Sequence, residues 1–283
     1  MESGGRPQRQ GPALSGGAPR AAPEDPPAVA LARATKVWPN GTRALDPVDL
    51  EVRRGEFLSV LGPSGCGKST LLHLIAGLEA PSSGSIAWWG SSFDATGTPG
   101  RGLAMVFQSP TLMPWARVDT NVRLPLSLAG VPVAESDRAV RDALALVGLS
   151  DSARLWPREL SGGMQMRASI ARALVNHPDL LLMDEPFGAL DEFTRQRLDD
   201  ELIALWRERG LTIVFVTHSI HEAVYLSTRV AVMGPRPGRL VDEVAIDEPH
   251  PRGEAFRVST GFAGYAQRLS ARVAEASGGA MHD

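Results

Sequence analysis

Gly62-Pro63-Ser64-Gly65-Cys66-Gly67-Lys68-Ser69-Thr70 decides the fold, because a glycine loop here joins an apolar run to an apolar helix pattern. Phe57-Leu58-Ser59-Val60-Leu61 reads as a buried strand, and Leu71, Leu72, Leu74 and Ile75 supply one face of the helix that follows. Gly62, Gly65 and Gly67 let the backbone bend so that several N–H groups point at one anion, and the helix start adds partial positive charge. Lys68 is placed to reach β- and γ-phosphates, and the Ser69 hydroxyl to sit on a magnesium ion. The chain contains only two lysines, Lys36 and Lys68, and uses arginine elsewhere. A compact ammonium suits a ring of backbone amides better than a planar guanidinium, so its retention at position 68 supports the phosphate reading.

The surrounding composition narrows the class. The 283 residues are 43% hydrophobic, enough for one large core or two modest ones. No apolar run is long enough to cross a bilayer, and no signal-peptide segment is visible at the N-terminus. A formal charge of −3 does not suggest a nucleic-acid binder, and none is expected as partner. Cys66 is the only cysteine, which excludes intramolecular disulfides and fits a reducing compartment. Residues 1–27 hold eleven Gly or Pro and read as a disordered tail.

Outward from the loop, short β-like runs at Val29-Ala30-Leu31 and Leu50-Glu51-Val52 flank a turn at Pro39-Asn40-Gly41. Trp38 precedes that turn, either as a satellite core residue or as a platform for an adenine ring. Ser85 to Trp89 and Leu103 to Phe107 read as strands, the second ending on Gln108, where a polar group is well placed to meet a ligand. Residues 109–175 change to proline-punctuated helices, Asn121 to Leu128 and Glu135 to Leu149, and read as an inserted helical subdomain. Within it Leu112-Met113-Pro114-Trp115 is either an exposed docking segment or a buried plug. Ser161 caps a helix opening on Gly162, Gly163 and Gln165.

Leu180 to Met183 is an uninterrupted apolar run, typical of a central parallel strand, that ends on Asp184 and Glu185. Beside a phosphate cradle, Asp184 would hold the metal and Glu185 would polarise a water. Asp191 precedes a helix from Glu192 to about Arg209. A strand from Leu211 to Val216 then carries Thr217 and His218 at its end, where His218 is a candidate γ-phosphate contact. Val230 to Val232 and Leu240 to Val244 read as closing strands. Phe262, Tyr265, Leu269 and Val273 recur at helical spacing and predict a short amphipathic C-terminal helix with a frayed end, within an extension at 252–283.

Taken in order, these residues resemble the ATP-binding subunits of ABC transporters over about residues 28–251. Gly62 to Thr70 resembles the Walker A loop, Gln108 the Q-loop, Leu160 to Gln165 the signature, and Leu180 to Glu185 Walker B. Asp191 matches the D-loop, His218 the H-loop and Trp38 the adenine-stacking aromatic. The resemblance implies an α/β P-loop NTPase with a mostly parallel central sheet, an N-terminal antiparallel β subdomain and the inserted helices. It further implies ATP and Mg²⁺ as ligands, with Ser69, Gln108 and Asp184 at the metal and Glu185 as general base. The expected assembly is a head-to-tail homodimer in which Ser161, Gly162, Gly163 and Gln165 complete the partner's site and Asp191 communicates across it.

Met105 to Pro110 with Met113-Pro114-Trp115, and Glu185 to Asp191, are similar to bacterial importers. Met233-Gly234-Pro235-Arg236-Pro237-Gly238-Arg239 is similar to the nitrate, sulfonate and taurine branch, with pyrimidine or polyamine import as alternatives. Such a subunit would sit on the cytoplasmic face of the inner membrane, on permease subunits served indirectly by an extracytoplasmic binding protein. The rival class is a soluble ABC ATPase acting as a clamp; those proteins typically carry two ATPase domains or a long coiled-coil insertion. The sequence departs from the family's habit at Met166, where Gln is usual, and at Ser219 and His221, where Asp is common.

Overall fold

The computed structural model describes residues 25–93, 96–98, 100–188 and 190–278. The expected tail, apart from residues 25–27, and the last five residues of the expected frayed end lie outside the described residues.

Three runs identified by their apolarity become the centre of a six-stranded sheet: β3 (Phe57–Leu61), β6 (Leu180–Asp184) and β7 (Thr212–Thr217) are buried along their whole length. Strand order is β5-β6-β7-β3-β8-β9, with β5 (Leu103–Val106) through β8 (Arg229–Met233) parallel and β9 (Leu240–Ala245) antiparallel at the edge. Side chains alternate between two cores, as the two-residue period of a strand requires. Phe57, Leu61, Leu181, Met183, Ile213 and Phe215 face one; Leu58, Val60, Leu180, Leu182, Val214 and Val216 face the other. A continuous apolar run is therefore needed at these strands, since neither face meets water.

The second core is closed by helix α1 (Lys68–Ile75) and a three-stranded antiparallel sheet of β2 (Arg43–Val52), β1 (Val29–Val37) and β4 (Ser83–Trp88). The first is closed by the inserted helices α2 (Val118–Leu128), α3 (Val133–Leu146) and α4 (Gly162–Leu174), then by α5 (Glu192–Arg209) and α6 (Ile220–Leu226). A short α7 (Glu254–Arg257) leads into α8 (Thr260–Gly278), which packs Phe262 and Leu269 into the same core.

Boundaries differ from expectation where tertiary contacts outweigh local pattern. Helix α2 starts at Val118 because buried Asn121 organises the preceding turn: its side chain accepts from Met113 N at 2.7 Å and donates to the carbonyls of Ala116 and Arg117. Helix α3 stops at Leu146, short of the expected Leu149, as Gly148 turns the chain at φ +64°. The C-terminal helix is 19 residues long rather than short. Strand β5 ends at Val106, so Gln108 stands two residues beyond it, exposed.

Candidate nucleotide site

The cradle lies where β3 hands over to α1. Gly67 caps the helix in a left-handed conformation, φ +108°, and a β-carbon there would lie 2.9 Å from Leu45 Cδ2 and 3.0 Å from Ala44 O. Only glycine meets both constraints. Lys68 is buried, with Nζ donating to the carbonyls of Gly62 at 2.9 Å and Pro63 at 3.1 Å. Its charge is met by Glu185, whose Oε1 lies 3.3 Å from Nζ.

Strand β6 delivers the two acids to the same place. Ser69 Oγ donates to Asp184 Oδ1 at 3.1 Å, and burial pushes the Asp184 carboxyl up while that bond opposes the shift. Glu185 has φ +43°, a left-handed conformation that costs a non-glycine residue energy and marks functional turns. That turn aims Oε2 at His218 Nδ1, 2.9 Å away at the end of β7. Lys68, Glu185 and His218 thus form one chain of contacts across the mouths of β3, β6 and β7.

A cavity of about 320 Å³ is lined by Ser64, Gly65, Gly67, Lys68, Ser69, Thr70, Gln108, Glu185 and Arg236. Sequence reading missed Arg236, which comes from the β8–β9 turn; nothing local in Pro235-Arg236-Pro237-Gly238 signals that this turn folds back onto the cradle. A hydroxyl, a carboxylate and an amide oxygen are the donors offered by Ser69, Asp184 and Gln108. These are hard oxygen ligands, few in number, as suits a Mg²⁺ that keeps waters and shares substrate phosphates.

Cys66 occupies the cradle sequence, but its side chain is only 1% exposed and packs into the second core, and burial pushes the thiol up. Cys66 is not among the residues that line the cavity. Trp38 is half-buried outside that cavity's lining, with the Lys36 ammonium 4.8 Å from its ring centroid.

The remaining expected residues form a separate surface. Ser161 caps α4, accepting from Met164 N at 3.3 Å, and Asp191 caps α5, accepting from Thr194 N at 3.0 Å, which holds its carboxyl below the usual range. The two helix starts adjoin: a β-carbon on Gly163 would lie 2.9 Å from Thr194 Cγ2, whereas Gly162 faces open space. Gln165 turns inward, donating to the carbonyls of Pro157 at 3.0 Å and Leu160 at 3.3 Å, and so braces the turn that presents Ser161.

Beside the cradle, Gln108 leads into a second structural joint. Arg172 on α4 donates to Thr111 O at 2.8 Å, Pro110 O at 3.0 Å and Thr111 Oγ1 at 2.8 Å. Next to it runs a groove of about 690 Å³ whose wall includes Leu103, Met105, Phe107, Leu124, Leu128 and Arg172. The segment Leu112 to Trp115 divides between the two expectations: Leu112 is half-buried against the first core, whereas Trp115 is 75% exposed.

The family model described as "ABC transporter" matches residues 45–188. The chain is 45% identical to the aliphatic sulfonates import ATP-binding protein SsuB of Bacillus licheniformis, over 77% of this chain and 83% of that one. It is 47% identical to the taurine import ATP-binding protein TauB of Roseobacter denitrificans, over 72% and 76%. A spermidine/putrescine import ATP-binding protein, PotA of Thermobifida fusca, is 44% identical over 86% of this chain and 64% of its own length. Among solved structures, cbiO1 from Clostridium perfringens, part of the transporter complex cbiONQ, superposes with a TM-score of 0.72 at 27% identity, covering 88% of this chain and 97% of that one. The dimeric cassette MJ0796 bound to ADP and Pi superposes with a TM-score of 0.69 at 32% identity, covering 78% and 100%.

Proposed function

The chain belongs to the ABC transporter family as one of its ATP-binding subunits, an ATPase coupled to transport, and we propose that it powers import of nitrate, sulfonate, taurine or a similar small solute. The observation that carries the chemistry is the Lys68–Glu185–His218 chain standing on the glycine cradle.

Each side chain then has a task. Lys68 neutralises the β- and γ-phosphates, and the loop's N–H groups hold the oxygens between them. Glu185 accepts the proton of the attacking water, and His218, on its other oxygen, orients that carboxylate and meets the γ-phosphate. Ser69, Asp184 and Gln108 would hold Mg²⁺, which when bound supplies charge neutralisation at the phosphate oxygens. The Ser161–Gly163 surface lies outside the cavity of its own chain, which supports a shared site: in a head-to-tail homodimer it would close over the partner's nucleotide, with Asp191 at the seam. Trp38 would stack on the adenine.

Transport requires a membrane channel, and no helix among the described residues is long and apolar enough to cross a membrane. The apolar groove beside Gln108 and the exposed Trp115 support docking of permease subunits at the cytoplasmic face of the inner membrane, with an extracytoplasmic binding protein delivering the solute. Uptake of labelled taurine, alkanesulfonates, nitrate and spermidine in a deletion strain tests the reading. Loss of sulfonate, taurine or nitrate uptake, restored by the parent chain but not by Lys68→Ala, is the expected result. Loss of spermidine uptake alone would overturn it.

A further inference from the structure

Among the described residues, Arg236 is the cation of the cradle's wall that meets no partner. It shares the cavity wall with Ser64, Gly65 and Lys68, and its Nη2 lies 3.9 Å from where a β-carbon on Gly65 would stand. Among the described residues its guanidinium has no hydrogen bond and no ion pair. Several other arginines of this chain are engaged, Arg229 with Glu56 and Glu243, Arg257 with Asp199, Arg252 with backbone carbonyls, so what sets Arg236 apart is its place in the cavity wall. Lys68 is also engaged, by Glu185 and two carbonyls. The unmet positive charge of the cavity is therefore at Arg236.

Its root is fixed. Gly238 N donates to Ala44 O at 2.9 Å, Asp46 N donates to Gly238 O at 2.9 Å, and Gly234 N donates to Arg239 O at 2.9 Å. A β-carbon on Gly238 would lie 2.1 Å from Cys66 O, so this turn is pressed against the outside of the cradle, where a larger residue could not sit. An exposed arginine on a pinned backbone, facing a site built for anions, is a ligand for a planar array of phosphate oxygens, which a guanidinium can take in two parallel bonds.

We propose that Arg236 is a second cationic ligand of the nucleotide's phosphate chain, acting from the lip of the cradle while Lys68 acts from its floor. This rests on the reading of the cradle as an ATP site. Exposure makes the contribution sensitive to salt, unlike that of buried Lys68.

The test is calorimetric titration of the full chain with Mg·ATP, comparing the parent with Arg236→Gln, Arg236→Lys and Arg239→Gln. Arg239→Gln makes the same charge change in the same turn at a side chain that does not line the cavity. Arg236→Gln should bind about tenfold or more weakly, as expected for a lost charged hydrogen bond, with an unchanged melting temperature. Arg236→Lys should lose less, Arg239→Gln should match the parent, and added salt should narrow the gap between parent and Arg236→Gln. Parent-like affinity in Arg236→Gln, or an equal loss in Arg239→Gln, would overturn the assignment while leaving the ATP site intact. A parent chain that fails to bind Mg·ATP would instead bring down the ATP reading itself.

Discussion

His218 Nδ1 and Glu185 Oε2 lie 2.9 Å apart, although the two residues come from different strands and are 33 positions apart in sequence. The imidazole N–H donates to a carboxylate whose other oxygen faces Lys68 at 3.3 Å. One acid is thereby held from both sides, in an orientation that a water above it can use.

Glu185→Gln is the variant that isolates this role. Removing the whole side chain would leave Lys68 buried without a counter-charge, a loss typically of about 3–5 kcal/mol that would confuse stability with catalysis. The amide keeps the shape and offers Lys68 an oxygen and His218 an N–H. Turnover should fall by about 100- to 10,000-fold while Mg·ATP still binds, and the protein should shift from monomer to dimer on light scattering. Hydrolysis at near the parent rate would exclude Glu185 as general base.

Cys66 should alkylate slowly in the folded protein whether or not nucleotide is present, because its thiol is packed in the second core and kept protonated by burial. Iodoacetamide labelling followed by mass spectrometry should become fast only in denaturant. Rapid labelling of the native chain, blocked by Mg·ATP, would show that the thiol reaches the cavity.

Asp199 should make the protein less stable as pH rises. Burial, helped by the neighbouring Glu222, pushes its carboxyl up to about 8, against the opposing pull of Arg257 Nη2 at 3.3 Å. In the unfolded chain the group releases its proton near pH 4 (about 3.9). Between those values the folded state holds a proton that the unfolded state lacks, so stability declines through that window and levels off above it. Glu222, also raised by burial, acts in the same direction. Asp199→Asn should therefore melt higher than the parent at pH 8 and show a flatter profile from pH 5 to 8. An unchanged slope would mean that Asp199 is ionised in the folded protein throughout.

The parts of this site that were legible in sequence are those where one local pattern serves both fold and chemistry. A glycine loop between an apolar run and a helix has few other uses, and an acid pair ending an uninterrupted apolar strand must surface at the sheet's carboxyl edge, as Asp184 and Glu185 do. Arg236 and Arg172 were not legible, because each acts on a segment distant in the chain and neither carries a local signal. The direction of the Cys66 thiol was not legible either, since sequence places the residue in the loop but does not say which way its side chain turns. Helix α8 was underestimated because Gly261 and Gly264 dilute the helical signal of its first turns, while burial of Phe262 and Leu269 holds them in place.

Arg172 ties two segments together. Its guanidinium spans 61 positions of sequence to grip the carbonyls of Pro110 and Thr111, so a rocking of α4 that preserves those bonds must drag the chain just downstream of Gln108 with it. Slippage would instead cost the three bonds, each worth about 1 kcal/mol or more. The helix that Ser161 opens and the segment that carries the glutamine at the cradle are in this way clamped by one side chain, which also stands in the wall of the apolar groove alongside.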